Sequence, residues 1–141
     1  MFVVGDIIRN NAIQYPEKIG LVHGDQRFKW RETDDRVNSL AQALVKQGLN
    51  RGDGVGLLLR NCHQWVETAL SIAKTGLRMI PLNLMLQAEE LTYIINDSEA
   101  KALVVDADKT EMVNGMLGDL PRVETVIGIA PPPRLRKAGT P

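Results

Sequence analysis

The sequence predicts an α/β fold: an open, mostly parallel sheet with helices on both faces, preceded by a helix and a small β-hairpin. Three observations carry this. Residues 55–59, VGLLL, form an apolar run with no polar alternation, as in a strand covered on both faces. From there onward short apolar runs alternate with amphipathic stretches, and crossovers of that length imply parallel pairing. Glycines at positions 48, 52, 54 and 76 punctuate the elements where turns and helix ends belong.

In chain order, residues 3–15 read as a helix whose inner face is Val3, Ile7, Ile8 and Ala12, ended by Pro16. Residues 19–23 and 27–30 are the hairpin strands around Gly24-Asp25-Gln26. Residues 33–47 form a helix with a stripe of Val37, Leu40, Ala41, Leu44 and Val45. Asp34 and Asp35 then fall in its first turn, where the helix dipole favours acids. A strand at 55–59, a helix at 62–75 and a strand at 77–82 make a βαβ unit. Helices at 88–96 and 109–117 and strands at 102–105 and 123–129 continue the alternation. Met79, Met85, Met112 and Met116 are expected to fill core gaps. Residues 131–141, PPPRLRKAGTP, change character and read as a Pro-rich basic tail or linker.

Composition narrows the function classes. Seventeen basic and seventeen acidic residues leave no net charge, so neither nucleic acid nor a membrane surface is an expected partner. No apolar run reaches the ~18 residues that span a bilayer. The first residues lack the features of a signal peptide, and a cytoplasmic location is expected. Cys62 is the only cysteine, which excludes an internal disulfide and a multi-cysteine metal site. His23 and His63 offer no metal-ligand spacing, so no metal residues are assigned.

Ligands of open parallel sheets bind beyond the carboxyl ends of the strands. Two such ends are legible. At the first, Asn61 reads either as the cap of the following helix or as a ligand contact, and His63 as a solvated first-turn residue. At the second, Asn83 reads as a loop residue bonding its own backbone, or as a pocket lining. Asn61, His63 and Asn83 are therefore the candidate substrate- or cofactor-lining residues. Gly52-Asp53-Gly54 precedes a strand instead of joining a strand to a helix, so it is a turn and not a phosphate cradle.

These features, taken in order, resemble the N-terminal segment of the adenylate-forming (AMP-binding) superfamily of acyl-CoA synthetases, luciferases and peptide-synthetase adenylation domains. Tyr15-Pro16, the hairpin, Trp30-Arg31-Glu32 and Asn38, Leu40, Ala41 and Leu44 match first. Gly48-Leu49, Gly52-Asp53-Gly54-Val55, Asn61, Gly76, Pro81-Leu82-Asn83 and Glu89-Glu90-Leu91 follow, and residues 94–97 close the match. It covers residues 5–105, with weaker support to 129. Pro-Leu-Asn resembles the acyl-CoA synthetase branch, whereas peptide-synthetase domains more often carry Pro-Leu-Asp there. The resemblance implies ATP-dependent activation of a carboxylic (fatty) acid through an acyl-adenylate, then thioester formation with CoA. ATP, Mg2+ and CoA are thus implied for the full-length enzyme and none for this chain alone.

The departures are Lys29-Trp30 for the usual Thr-Tyr, Leu84 for a proline and Met85 for an arginine. Losing the threonine removes a capping box, so the helix is expected to begin at Thr33. The family's ATP loop and its C-terminal domain have no counterpart here. No catalytic residue is assigned, and the expected organisation is an incomplete N-terminal subdomain over 1–130 followed by the tail at 131–141. Such a piece is expected to be inactive alone. It is also expected to expose sheet edges around residues 57–59 or 103–105 and to self-associate. The alternative is a standalone interaction or dimerisation module on the same scaffold.

Overall fold

The computed structural model describes residues 2–130; the basic tail expected at 131–141 lies outside the described residues. The element order is α1 (Val4–Gln14), β1 (Ile19–His23), β2 (Gln26–Lys29), α2 (Trp30–Lys46), β3 (Gly54–Leu58), α3 (His63–Thr75), β4 (Arg78–Pro81), α4 (Ala88–Asp97), β5 (Ala100–Asp106), α5 (Thr110–Met116) and β6 (Thr125–Ile129). Short 3-10 turns flank α5. β1 and β2 pair antiparallel, and the other four strands form a parallel sheet in the order β4-β3-β5-β6. The expected architecture is therefore observed.

Every residue of β3 is buried, because side chains from its two faces enter two different cores. Val55, Leu57 and Leu59, with Ala102 and Val104 of β5, pack against Leu44 of α2 and Ile72 of α3. Leu58, with Leu103 and Val105, packs against Leu91 and Ile95 of α4 and Val113 and Met116 of α5. The period-two alternation of the strands thus sorts a continuous apolar run into two cores. β3 and β5 are the central strands, so the expected edge at 57–59 or 103–105 is not an edge. The edges are β4 and β6. Pro81, which cannot donate to a ladder, sits in edge strand β4.

Helix starts correct several expectations. α2 begins at Trp30, not Thr33, because the Glu32 carboxylate accepts the backbone N–H of Lys29 at 2.8 Å. A lysine side chain has no acceptor, so only this half of the capping box remains, and it suffices. Asp6 and Glu90 cap α1 and α4 the same way, accepting from Val3 N–H (3.0 Å) and Gln87 N–H (2.9 Å). Asp34 and Asp35 consequently fall beyond the first turn of α2. Lys74 of α3 donates to both Asp34 and Asn38, tying the two helices together.

α1 turns Gly5 and Ile8 inward, while Val3 and Ile7 are exposed, contrary to the expected inner face. Its approach to α3 is the reason: a side chain on Gly5 would lie 3.1 Å from the Lys74 Cα. Close approach also explains Gly20, whose added Cβ would overlap the Trp30 indole. Met112 and Met116 serve the core as expected, but Met79 and Met85 are 40% and 82% exposed.

Candidate functional site

The carboxyl ends of β3, β5 and β6 open into a cleft of about 660 Å³, walled on one side by the hairpin and the first turn of α3. Its polar lining includes His23, Arg60, His63, Gln64, Asp106 and Asp108. The size is that of small-molecule sites, and the position is the one open parallel sheets use. An open groove of about 760 Å³ lies elsewhere, between α4 and α5, and touches no strand end. Strand-end chemistry favours the smaller cleft as the candidate ligand site.

Two networks set its geometry. Asp106, the buried last residue of β5, accepts the Arg60 backbone N–H at 2.9 Å and Nε at 2.8 Å, while Arg60 Nη2 reaches Asp108 at 3.1 Å. This clamps the exit of β3 to the exit of β5. The hydrogen bond to Asp106, with the charges of Asp106 and Asp108, holds the Arg60 guanidinium above its ordinary pKa.

The second network centres on Glu67, a carboxylate only 5% exposed on α3. Its Oε1 accepts from Arg36 Nε at 2.6 Å and lies 3.1 Å from His63 Nδ1, and its Oε2 accepts from Arg36 Nη2 at 3.1 Å. The paired Arg36 is raised in pKa by the Glu67 hydrogen bond. The His63 ring packs against Phe28 (centroids 4.9 Å apart) and His23 (5.5 Å), and Arg36 sits over Phe28 at 5.1 Å. One chain of contacts therefore joins the hairpin, α2 and α3. The His23 Nδ1 is buried with no hydrogen-bond partner among the described residues.

Of the expected residues, His63 lines the cleft but is 6% exposed and bonded to Glu67, not solvated. Asn61 is exposed and does not cap α3: the cap position is Cys62, and no side chain bonds the helix end there. Asn61 lines a small adjoining recess with His23 and His63. Asn83 follows edge strand β4, is not part of the cleft lining, and accepts the Met85 N–H at 2.9 Å as a loop residue. Sequence reading thus missed Arg60, Asp106, Glu67 and Arg36. Asp106 had a signal, being the polar residue that ends an apolar strand. Glu67 had a weaker one, four residues after His63 within an apolar helix face.

In the cleft Arg60 is matched by Asp106 and Asp108, and beside it Glu67 holds Arg36 and the His63 ring. That is an arrangement for holding elements in place. The glycine-rich turn leads into the amino end of β3, opposite the cleft, and the β3–α3 junction Arg60-Asn61-Cys62 has no glycine. The described residues accordingly do not compose a nucleotide-phosphate cradle, and no group of three metal-ligating side chains converges among them.

An open parallel α/β sheet with a strand-end cleft defines a ligand-binding scaffold class, and comparison with known proteins specifies it. The chain matches the AMP-binding enzyme family over residues 8–140. It is 31% identical over 124 residues to the medium/long-chain-fatty-acid–CoA/3-oxocholest-4-en-26-oate–CoA ligase of Mycobacterium marinum, covering 88% of this chain and 22% of that protein. It is 35% identical over 123 residues to malpibaldin synthetase of Mortierella alpina, covering 87% of this chain and 2% of that protein. In structure it superposes on a long-chain-fatty-acid CoA ligase of Rhodopseudomonas palustris with a TM-score of 0.86 and 28% identity, covering 91% of this chain and 33% of that one. The chain belongs to the AMP-binding enzyme family. It spans about a fifth of the length of the M. marinum ligase.

Proposed function

We propose that this chain forms the N-terminal subdomain of an ATP-dependent carboxylic acid–CoA ligase. The full enzyme would activate a fatty or related acid as its acyl-adenylate and pass the acyl group to CoA. The observation that carries the reading is the family match over residues 8–140, joined to a fold shared with CoA ligases. Pro81-Leu82-Asn83 supports the acyl-CoA branch over the peptide-synthetase branch. Within that enzyme the segment supplies scaffold: Asp106 and Glu67 fix the strand ends and helix starts, and the candidate substrate- or cofactor-lining residues are His63 in the cleft, Asn61 in the recess beside it and Asn83 in the loop after β4. ATP, Mg2+ and CoA belong in this reading to the full-length enzyme. The 141 residues alone are inactive, and the enzyme is cytoplasmic. No helix among the described residues is long and apolar enough to cross a membrane.

The test is the parent coding sequence. A Ser/Thr/Gly-rich loop joining a strand to a helix shortly after Pro141 is expected; a stop codon or unrelated sequence there overturns the ligase reading. A second reading, a self-associating module, draws on the exposed apolar residues in and just before α1, with Phe2, Val4 and Ile13 each more than 60% exposed. Sedimentation showing a stable dimer would favour it, and a monomer at all concentrations would exclude it.

A further inference from the structure

The chain's two histidines, forty positions apart in sequence, meet at the strand-end cleft. His23 ends β1 and His63 opens α3. Their ring centroids lie 5.5 Å apart, with the planes tilted by 50°. Both rings line the cleft and also the adjoining recess of about 270 Å³, whose apolar walls include Leu21, Val22, Trp65 and Val66.

Each ring has a nitrogen to offer. Glu67 Oε1 lies 3.1 Å from His63 Nδ1, and an ionised carboxylate can only accept, so Nδ1 carries the proton. In the neutral ring the lone pair then resides on Nε2. A carboxylate on the far nitrogen is the outer-shell arrangement that orients metal-ligating histidines and strengthens them as donors. His23 Nδ1 is buried with no hydrogen-bond partner among the described residues, and a buried polar atom left unsatisfied calls for a partner such as an ion. Two imidazoles bound tetrahedrally to one ion at ~2.0–2.1 Å have centroids about 5 Å apart, close to the observed spacing. The cleft lining also sets two carboxylates, Asp106 and Asp108, against one guanidinium, Arg60, an acidic excess that favours a cation.

We propose that His23 and His63 form a two-imidazole site for a divalent transition-metal ion such as Zn2+, which ties the end of β1 to the start of α3. No group of three metal-ligating side chains converges among the described residues, so water fills the remaining positions. Imidazole donors select such an ion over Mg2+ and Ca2+, which prefer oxygen. The inference does not depend on the ligase reading.

The test titrates the whole chain with Zn2+ alone and follows the imidazole nitrogen and ring-proton NMR signals, of which there are two sets because the chain has two histidines. The expected result is one Zn2+ per chain, with His63 Nε2 and the His23 ring shifting together while His63 Nδ1 keeps its proton. His23→Gln should weaken binding by more than the ~10-fold that loss of an outer-shell partner costs. Cys62→Ser should leave binding unchanged, and excess Mg2+ should shift neither ring. Response of one ring only, or of neither, overturns the proposal, as does an equal response to Mg2+. Retained affinity in His23→Gln overturns it too, and so does loss of binding in Cys62→Ser, which assigns the metal to the thiol. Should His23→Gln fold poorly, the two ring signals of the unsubstituted chain decide between these outcomes.

Discussion

Glu67→Ala should be among the most costly single changes away from the apolar core. The substitution removes a buried carboxylate that serves Arg36 through two hydrogen bonds and His63 through a third. His63 is buried, so its Nδ1 would lose its acceptor and gain little water; an orphaned buried polar group costs about 1–3 kcal/mol. The Arg36 side chain is 46% exposed and can return to solvent, so its ion pair adds only about 1 kcal/mol after screening. Together these give a loss of about 2–4 kcal/mol. Glu67→Gln keeps the shape and one acceptor but turns an amide N–H2 toward a cation or a ring N–H, at about half that cost. The assay is urea denaturation followed by far-UV circular dichroism, reading the midpoint at constant m. A double-mutant cycle with His63→Ala should return a coupling of about 1 kcal/mol. A loss below about 0.5 kcal/mol for Glu67→Ala, a value ordinary for surface changes, would refute the claim that Glu67 ties hairpin, α2 and α3 together.

Three further outcomes are expected. Gly20→Ala should destabilise by about 1–3 kcal/mol in the same urea assay, because the new methyl overlaps the Trp30 ring; a neutral result would mean Trp30 is not held where the structure places it. Glu99 holds a left-handed φ of 55° just after α4, so Glu99→Gly should stabilise by about 0.5–1 kcal/mol; its exposed pair with Arg122 contributes little. Asp53 is lowered below its ordinary value of 3.8 by the Asn50 backbone N–H and then by Lys101. A depressed carboxylate stabilises above its unfolded pKa, and that contribution disappears as pH falls through the lower folded value. Asp53→Asn should therefore flatten the acid limb of the stability–pH curve; an unchanged limb would show that Asp53 gains nothing on folding.

The parts of the fold legible in the sequence are those where one residue pattern has one physical solution. The VGLLL run can be satisfied only in a strand buried on both faces, and Gly48 and Gly76 each take the positive φ that ends a helix. Where the structure departs from expectation, either a single short capping contact or a partner distant in sequence decides. The start of α2 was misplaced because Glu32 alone supplies the cap that Lys29 cannot. The face of α1 was misread because Gly5, not a large side chain, sits at the crossing with α3. Strand order was illegible, which turned the central strands into expected edges. Beside the cleft, Asn61 is legible as a polar residue after a strand, while Arg36 and Glu67, thirty-one positions apart, meet only once α2 and α3 pack. His63 was expected to face water because nothing in its local sequence shows that the hairpin will cover it.

The claim that this chain supplies scaffold rather than chemistry is tested most directly by ATP–pyrophosphate exchange. Purified 141-residue chain, shown to be folded, is assayed with a panel of fatty and aromatic acids beside the same segment continued by its downstream coding sequence. No exchange from the short chain and acid-dependent exchange from the longer one is the predicted result. Acid-dependent exchange by the short chain alone would contradict it.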